Sequence, residues 1–398
     1  MRVAFLFNHY DVHQIPHTAP FAFELSRREG VEVDVVASCD VQLDFARRLG
    51  AVHPGGHGAN FRRIGAGPLV ELADRALRRW VFVKKSAVLR RNARDLGSYD
   101  AIVSPERTAM RLASRYDQTR PLFIRSMHGA GDRAIRSVTG NCDRTGLLLV
   151  PGRKHVERYG QACPNTRLAV VGSAKFDAVR ALAPTPPKLF ANNRPTVLYN
   201  PHFCGHVSSW QTMGTDVLDW FADQTSFNLI FAPHVVLWKR ARRHKARLPG
   251  RFRNPPAHIH IDLGSEASCD MSYIRAADIY LGDASSQVYE FLHRPRPCVF
   301  LDAHDTDWQD SPHHLHWRFG AVAGDVAAMA EALHSAAATH SLYTTQQRNG
   351  LAHTYSRSDT PVAVRGADAI HDYLIKALSR SNLSATEDAA FPLALAAG

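Results

Sequence analysis

Cysteine is scarce and scattered in this chain. The six residues Cys39, Cys142, Cys163, Cys204, Cys269 and Cys298 form no CxxC pair in 398 residues. That spacing excludes the disulfide framework of a small secreted domain and a cysteine zinc site, and reduced thiols are the expectation. Long apolar runs are absent too. None approaches the ~20 residues needed to cross a bilayer. The opening "MRVAFLFNHYD" is interrupted at Asn8 and His9, too early for a signal-peptide core, so it reads as a first β-strand. Histidine is plentiful, with 22 residues, but no HExxH or similar zinc spacing occurs. "HIH" puts His258 and His260 on one strand face without a third ligand, and His313, His314 and His316 fall in a loop, so no metal is expected. Nucleic-acid motifs are missing, and Phe and Tyr are not interleaved with the basic residues.

What is present reads as a soluble α/β enzyme. Apolar residues make up 45% and charged residues 21%, enough to bury a sizeable core. The length fits two domains. The formal charge of +11 favours phosphorylated substrates or an anionic lipid surface. "RVAFLF", a helical stretch ending at Gly30 and "VEVDVVAS" make a β-α-β opening, with Pro16 and Pro20 placed in the loop between. "AIVSPE", "PLFIRSM", "GLLLVPG" and "RLAVVGS" continue the rhythm. The proline-rich stretch 181–195 is the linker candidate. After it "TVLYNPH", "FNLIFAPH", "HIHIDL", "ADIYLGD" and "PCVFLDA" repeat the pattern. The expected architecture is two doubly wound Rossmann-like domains, 1–180 and 196–378, facing a cleft, followed by a loose tail over 379–398.

In open α/β sheets, ligands sit at the carboxyl ends of the strands. Those ends deliver His128-Gly129-Ala130-Gly131, Pro201-His202, Pro233-His234 and Gly282-Asp283-Ala284-Ser285-Ser286. A histidine titrates near neutrality and suits general-base work, so His128 is a candidate base; a polar loop residue is the bland alternative. His234 and His202 are candidate donors to phosphate, or satisfied buried histidines. Ser285 and Ser286 open a helix. They either cap it, with Asp283, or seat a pyrophosphate on its free amides. Glu290, one turn on, either reaches a ribose hydroxyl or is a solvated carboxylate.

Read together, "SMHGAGDRA", "LLLVPGRKHVERYG", "VVGSAKFDAV", "TVLYNPHF", "LIFAPHVVL" and "AADIYLGDASSQVYEFLHRPRPCVFLDAH" resemble, in order, the motif blocks of the CDP-glycerol glycerophosphotransferase family, the enzymes that prime or polymerise teichoic-acid-type polymers. The resemblance covers roughly residues 100 to 305. It implies a GT-B fold, with catalytic roles for His128 and His234. It also implies a donor seat at Asp283, Ser285 and Ser286, to which the reading of the strand ends adds Gly282, Glu290, His202 and Gly129 as candidate donor contacts. Departures are visible: His-Gly-Thr is His-Gly-Ala here, Asp-Tyr-Ser-Ser is Asp-Ala-Ser-Ser, and Pro201-His202-Phe203-Cys204 lacks the family's arginine.

The implied function is transfer of a polyol phosphate, glycerol phosphate-like, from a CDP-activated donor to a hydroxyl of a cell-envelope glycan, polymer or lipid-linked acceptor, with release of CMP. No cofactor beyond that donor is called for. The rival readings are a GT-B glycosyltransferase using a nucleotide sugar, a nucleotide-sugar 2-epimerase or hydrolase, and a non-catalytic scaffold. A stretch read as one long helix carries Arg75, Arg78, Arg79, Lys84, Lys85, Arg90 and Arg91, a candidate contact for an anionic membrane or polymer, or simply a solvated face. A cytoplasmic protein resting on the inner face of the membrane is the expected location.

Overall fold

The computed structural model describes residues 1–116, 120–132 and 144–389, with side chains through residue 379. Among them thirteen strands form two parallel sheets. The first has the order β3-β2-β1-β4-β5-β6-β7 and the second β10-β9-β8-β11-β12-β13. In the first, β1 is Arg2–Phe7, β2 Glu32–Ala37, β3 Ala59–Arg63, β4 Ala101–Ser104, β5 Leu122–Ser126, β6 Leu147–Val150 and β7 Arg167–Val170. In the second, β8 is Thr196–Asn200, β9 Asn228–Phe231, β10 Ile259–Ile261, β11 Ile279–Gly282, β12 Cys298–Leu301 and β13 Ala321–Ala323.

The central strands are apolar at consecutive positions because both faces are covered. In β1, Val3, Phe5 and Phe7 enter one core cluster, while Ala4 and Leu6 enter another on the opposite face. In β8, Val197 and Tyr199 point one way and Leu198 the other. Two strands escaped the sequence reading, β3 (Ala-Asn-Phe-Arg-Arg) and β13 (Ala-Val-Ala). Both lie at sheet edges, where one side lacks a neighbour and an apolar run is not required.

Three other expectations are corrected. Pro16 and Pro20 are not in a loop: the helix Ile15–Leu25 has Pro16 in its first turn and Pro20 inside, and every residue is buried. A proline in the first turn gives up an amide that has no intrahelical partner anyway. The long basic helix is broken into Pro68–Leu77, Lys84–Arg91 and Ala93–Leu96. Four cysteines are free, but Cys163 is disulfide-bonded, so the expectation of reduced thiols fails there; it rested only on the lack of close cysteine spacing.

The last helix, Val362–Ala389, continues through the first part of the stretch expected to be loose; residues 390–398 lie outside the described residues. It returns to the first sheet, where Ala367, Ile370 and Leu374 join the core that holds Phe21. At Gly366 a Cβ would sit 2.2 Å from the Phe21 ring, so only glycine permits this approach. No helix among the described residues is long and apolar enough to cross a membrane.

Candidate functional site

The carboxyl ends of the two sheets face each other across a cleft of about 450 Å³. Seven histidines line it: His9, His13, His17, His128, His155, His202 and His234. Three of these were singled out from sequence. His9 follows β1 closely and His13 lies further along the same loop, a strand end that the same logic collects; in the sequence His9 reads only as an interruption of an apolar run, and His13 carries no signal.

The hydrogen bonds of the rings assign their protons. His128 Nδ1 lies 3.1 Å from the carbonyl oxygen of Pro105. A carbonyl only accepts, so Nδ1 carries the hydrogen and Nε2 holds the lone pair. The amide of Gln14 faces that Nε2 at 3.5 Å. The opposite wall is wired the other way. His234 Nδ1 accepts from the backbone amide of Val236 at 3.2 Å, and His202 Nδ1 accepts from that of Cys204 at 3.0 Å. Both rings therefore carry the hydrogen on Nε2 and are donors there. The rings of His202 and His234 stand 5.3 Å apart, and His13 bridges towards both walls, 5.8 Å from His128 and 6.5 Å from His234.

Burial holds His128 down to about 4, and the charge of Glu106 only partly offsets it. His9, His13, His17 and His155 are likewise held well below the ordinary histidine value, in each case first by burial. At neutral pH these rings are uncharged. Glu106 is pushed up by burial, but the Lys85 ammonium at 2.7 Å outweighs this and keeps the carboxyl below its usual range.

Ser286 opens the helix Gln287–Phe291 and lines the cleft; its side chain makes no capping hydrogen bond. The helix is covered by the loop after His128. A Cβ at Gly129 would lie 3.3 Å from Ser286 Oγ, and one at Gly131 3.0 Å from Ser286 Cβ. The two glycines thus let one domain's loop close on the other's helix. Ser285 is turned inward, its hydroxyl accepting from the Gln287 amide at 3.3 Å.

Asp283 does not line the cleft. It is buried and accepts from the amides of His202, Ser209 and Ala284 and from the Ser209 hydroxyl. Burial pushes its carboxyl up, against those bonds. It is a positioning residue that fixes the His202 loop. Gly282 is also away from the cleft, with Tyr280 packed where a side chain would go. Glu290 does reach the cleft, paired with Lys175 at 2.6 Å and lying 3.6 Å from the uncharged His17 ring, both from the first domain.

A second interdomain knot escaped sequence reading. Asp132, one residue past the glycine loop, accepts from Lys154 Nζ at 2.9 Å, from Tyr289 Oη at 2.7 Å and from the His316 amide at 3.1 Å, and meets His316 Nδ1 at 2.9 Å. Burial raises its carboxyl, but the His316 and Lys154 contacts win and hold it well below the usual range. Lys154 is brought down by burial to about 8.

The basic residues divide. Arg75, Arg78, Arg79, Arg90 and Arg91 are exposed. Lys84 is buried against Glu71 at 2.9 Å, and Lys85 turns into the cleft; neither belongs to an outer face. His258 and His260 are satisfied by the Phe221 carbonyl and the Tyr273 hydroxyl. His9, Asp11 and His13 bring potential metal-ligand atoms within 4.8 Å of one another. The Lys239 ammonium already contacts the Asp11 carboxylate, and His9 Nδ1 accepts from the Asp11 amide at 3.2 Å, so both would have to yield to an ion.

No protein-family model matches the chain, and no curated relative matches its sequence. Solved structures do match in fold. The wall teichoic acid polymerase TagF is 13% identical, with a TM-score of 0.60 over 95% of this chain and 90% of that one. The UDP-GlcNAc 2-epimerase of Neisseria meningitidis is 13% identical, with a TM-score of 0.53 over 94% and 100%. CalG4, the calicheamicin glycosyltransferase, is 18% identical, with a TM-score of 0.51 over 94% and 98%. At these identities the likeness establishes the architecture: two Rossmann-like domains in the GT-B arrangement.

Proposed function

We propose that this protein is a transferase that moves a glycerol phosphate-like polyol phosphate from a CDP-activated donor to a hydroxyl of a cell-envelope glycan or polymer acceptor. The observation that carries the reading is the opposed wiring of His128 and His234: one wall of the cleft offers a base, the other offers donors. The motif order from "SMHGAG" to "GDASS" and the structural likeness to a wall teichoic acid polymerase support it.

In this reading the acceptor hydroxyl approaches Nε2 of His128, which removes its proton as the oxygen attacks the donor's β-phosphorus. The bond from that phosphorus to the bridging oxygen breaks, and CMP leaves. Nε2–H of His234 and of His202, with the Ser286 hydroxyl, hold the phosphate oxygens. Charge stabilisation and positioning do most of the work in such transfers. Asp283 and Ser285 act at one remove by fixing the His202 loop and the Ser286 turn.

A membrane surface completes the reading. Leu69, Leu72, Trp80 and Val81 are exposed around the helix Pro68–Leu77, beside Arg75, Arg78 and Arg79. The Arg242 guanidinium lies over the Trp80 ring at 5.4 Å. Exposed apolar side chains ringed by arginines suit an anionic bilayer that presents a lipid-linked acceptor.

The test is CMP release from CDP-glycerol, with and without a glycerol-phosphate oligomer as acceptor. Release that needs the oligomer supports the transferase. Release without it points to a hydrolase, and turnover of a nucleotide sugar in place of CDP-glycerol points to a glycosyltransferase or epimerase.

A further inference from the structure

Arg125 is the third residue after Leu122 in β5, three positions before His128, and its side chain lines the cleft while only 7% exposed. An arginine keeps its charge under all ordinary conditions, so burial cannot be relieved by losing a proton. A buried guanidinium therefore calls for an anion. Its Nε has no hydrogen-bond partner among the described residues. The carboxylate whose charge acts on it, Glu106, is already taken by Lys85. The other cation beside it, Arg107, repels it; Arg107 also lines the cleft, and its Nε too is buried without a partner. His155, from the helix Arg153–Gly160, completes the wall: it is 1% exposed, and neither ring nitrogen has a hydrogen-bond partner among the described residues.

These are polar groups facing one cavity, with positive charge, and among the described residues the carboxylate that acts on Arg125 is the one Lys85 already holds. All come from the first domain, whereas Ser286, His202 and His234 come from the second. We propose that Arg107, Arg125 and His155 form an oxyanion site for the acceptor, which carries a phosphate or a carboxylate beside the hydroxyl that reacts. The word acceptor rests on the transferase reading above; the oxyanion site does not. It narrows the acceptor to an anionic polymer or glycan and excludes a neutral one. The arginine charge serves a second end: it disfavours protonation of His128, keeping the base in its reactive form.

The test is calorimetric titration of the full chain with inorganic phosphate and, separately, with acetate. Wild type, Arg125→Gln, Arg107→Gln and the pair Ser285→Ala/Ser286→Ala are compared. Phosphate affinity is expected to fall at least tenfold in each arginine variant and to persist in the serine pair. Acetate binding as well as phosphate would mark a carboxylate-bearing acceptor, and phosphate alone a phosphate-bearing one. Arg107 is only half-buried, so its variant keeps the test valid if Arg125→Gln fails to fold. Wild-type phosphate binding in Arg107→Gln, or binding lost only in the serine pair, would overturn the site. If phosphate binding depends on the arginines while no cytidine nucleotide binds, the site stands and the donor reading falls.

Discussion

The ring of His128 is held by the carbonyl of Pro105, 3.1 Å from Nδ1, and this one bond decides which nitrogen can act as a base. Substituting Ala for His128 removes the base and leaves the opposite wall intact. Turnover should fall by about 10²–10⁴-fold, the usual worth of general-base catalysis, while the donor dissociation constant stays within about twofold of wild type. Steady-state kinetics with equilibrium donor binding checks both; an unchanged kcat would remove His128 from the mechanism.

The pH profile carries a signed expectation. With His128 held down to about 4, the base stays unprotonated through the ordinary histidine range. The acid limb of kcat/KM should therefore bend well below pH 6.5, towards 4. In Arg125→Gln the limb should move up, because a charge that disfavours protonation is gone. A limb at the ordinary histidine value in both proteins would contradict the burial of this ring.

Stability should follow the same groups. His9, His13, His17, His128 and His155 all have folded values below the unfolded one. Below about pH 6.5 the unfolded chain takes up protons that the folded chain refuses. Stability is thus highest above that point and drops as pH falls towards 4. Melting temperatures across that interval read this directly, and a flat or rising profile on acidification would refute it.

Asp132 ties the two domains together beneath the glycine loop. Asp132→Asn leaves Lys154 buried without its carboxylate, a loss of about 3–5 kcal/mol. The double variant Asp132→Asn/Lys154→Met removes the stranded charge and should recover part of that loss. Denaturant unfolding of the three proteins tests it; a double variant less stable than Asp132→Asn would show that the pair's charge is not the issue.

The outer patch makes a separate claim. Binding to vesicles containing anionic lipid should weaken in Trp80→Ala/Leu72→Ser and weaken with added salt, since both apolar insertion and counter-charge contribute. Cosedimentation that is equal for variant and wild type would take the membrane out of the account.

Much of the fold could be read from the sequence because parallel strands buried on both faces leave unbroken apolar runs, as in "RVAFLF" and "TVLYN". Edge strands such as Ala59–Arg63 do not. The cleft lining was legible where a strand end and a motif coincide, at His128, His234 and Ser286. It was illegible where the cleft is built from pairings between distant positions. Asp132 meets His316 across 184 residues, and Glu290 meets Lys175 across 115; neither pairing has a local signature. Arg125 hides in plain sight, since a charged residue inside an apolar strand reads as an interruption until the cleft it faces is known. Asp283 shows the converse: a motif residue whose carboxylate serves the backbone.

The most direct measurement is donor binding by thermal shift, with CDP, CMP, CDP-glycerol, UDP and GDP, on wild type and on Ser285→Ala/Ser286→Ala. A ligand that binds only the folded state raises the melting temperature. The account predicts stabilisation by the cytidine nucleotides, strongest with CDP-glycerol, and its loss in the serine pair. Stabilisation by UDP or GDP alone, or equal stabilisation of both proteins by CDP-glycerol, would contradict it.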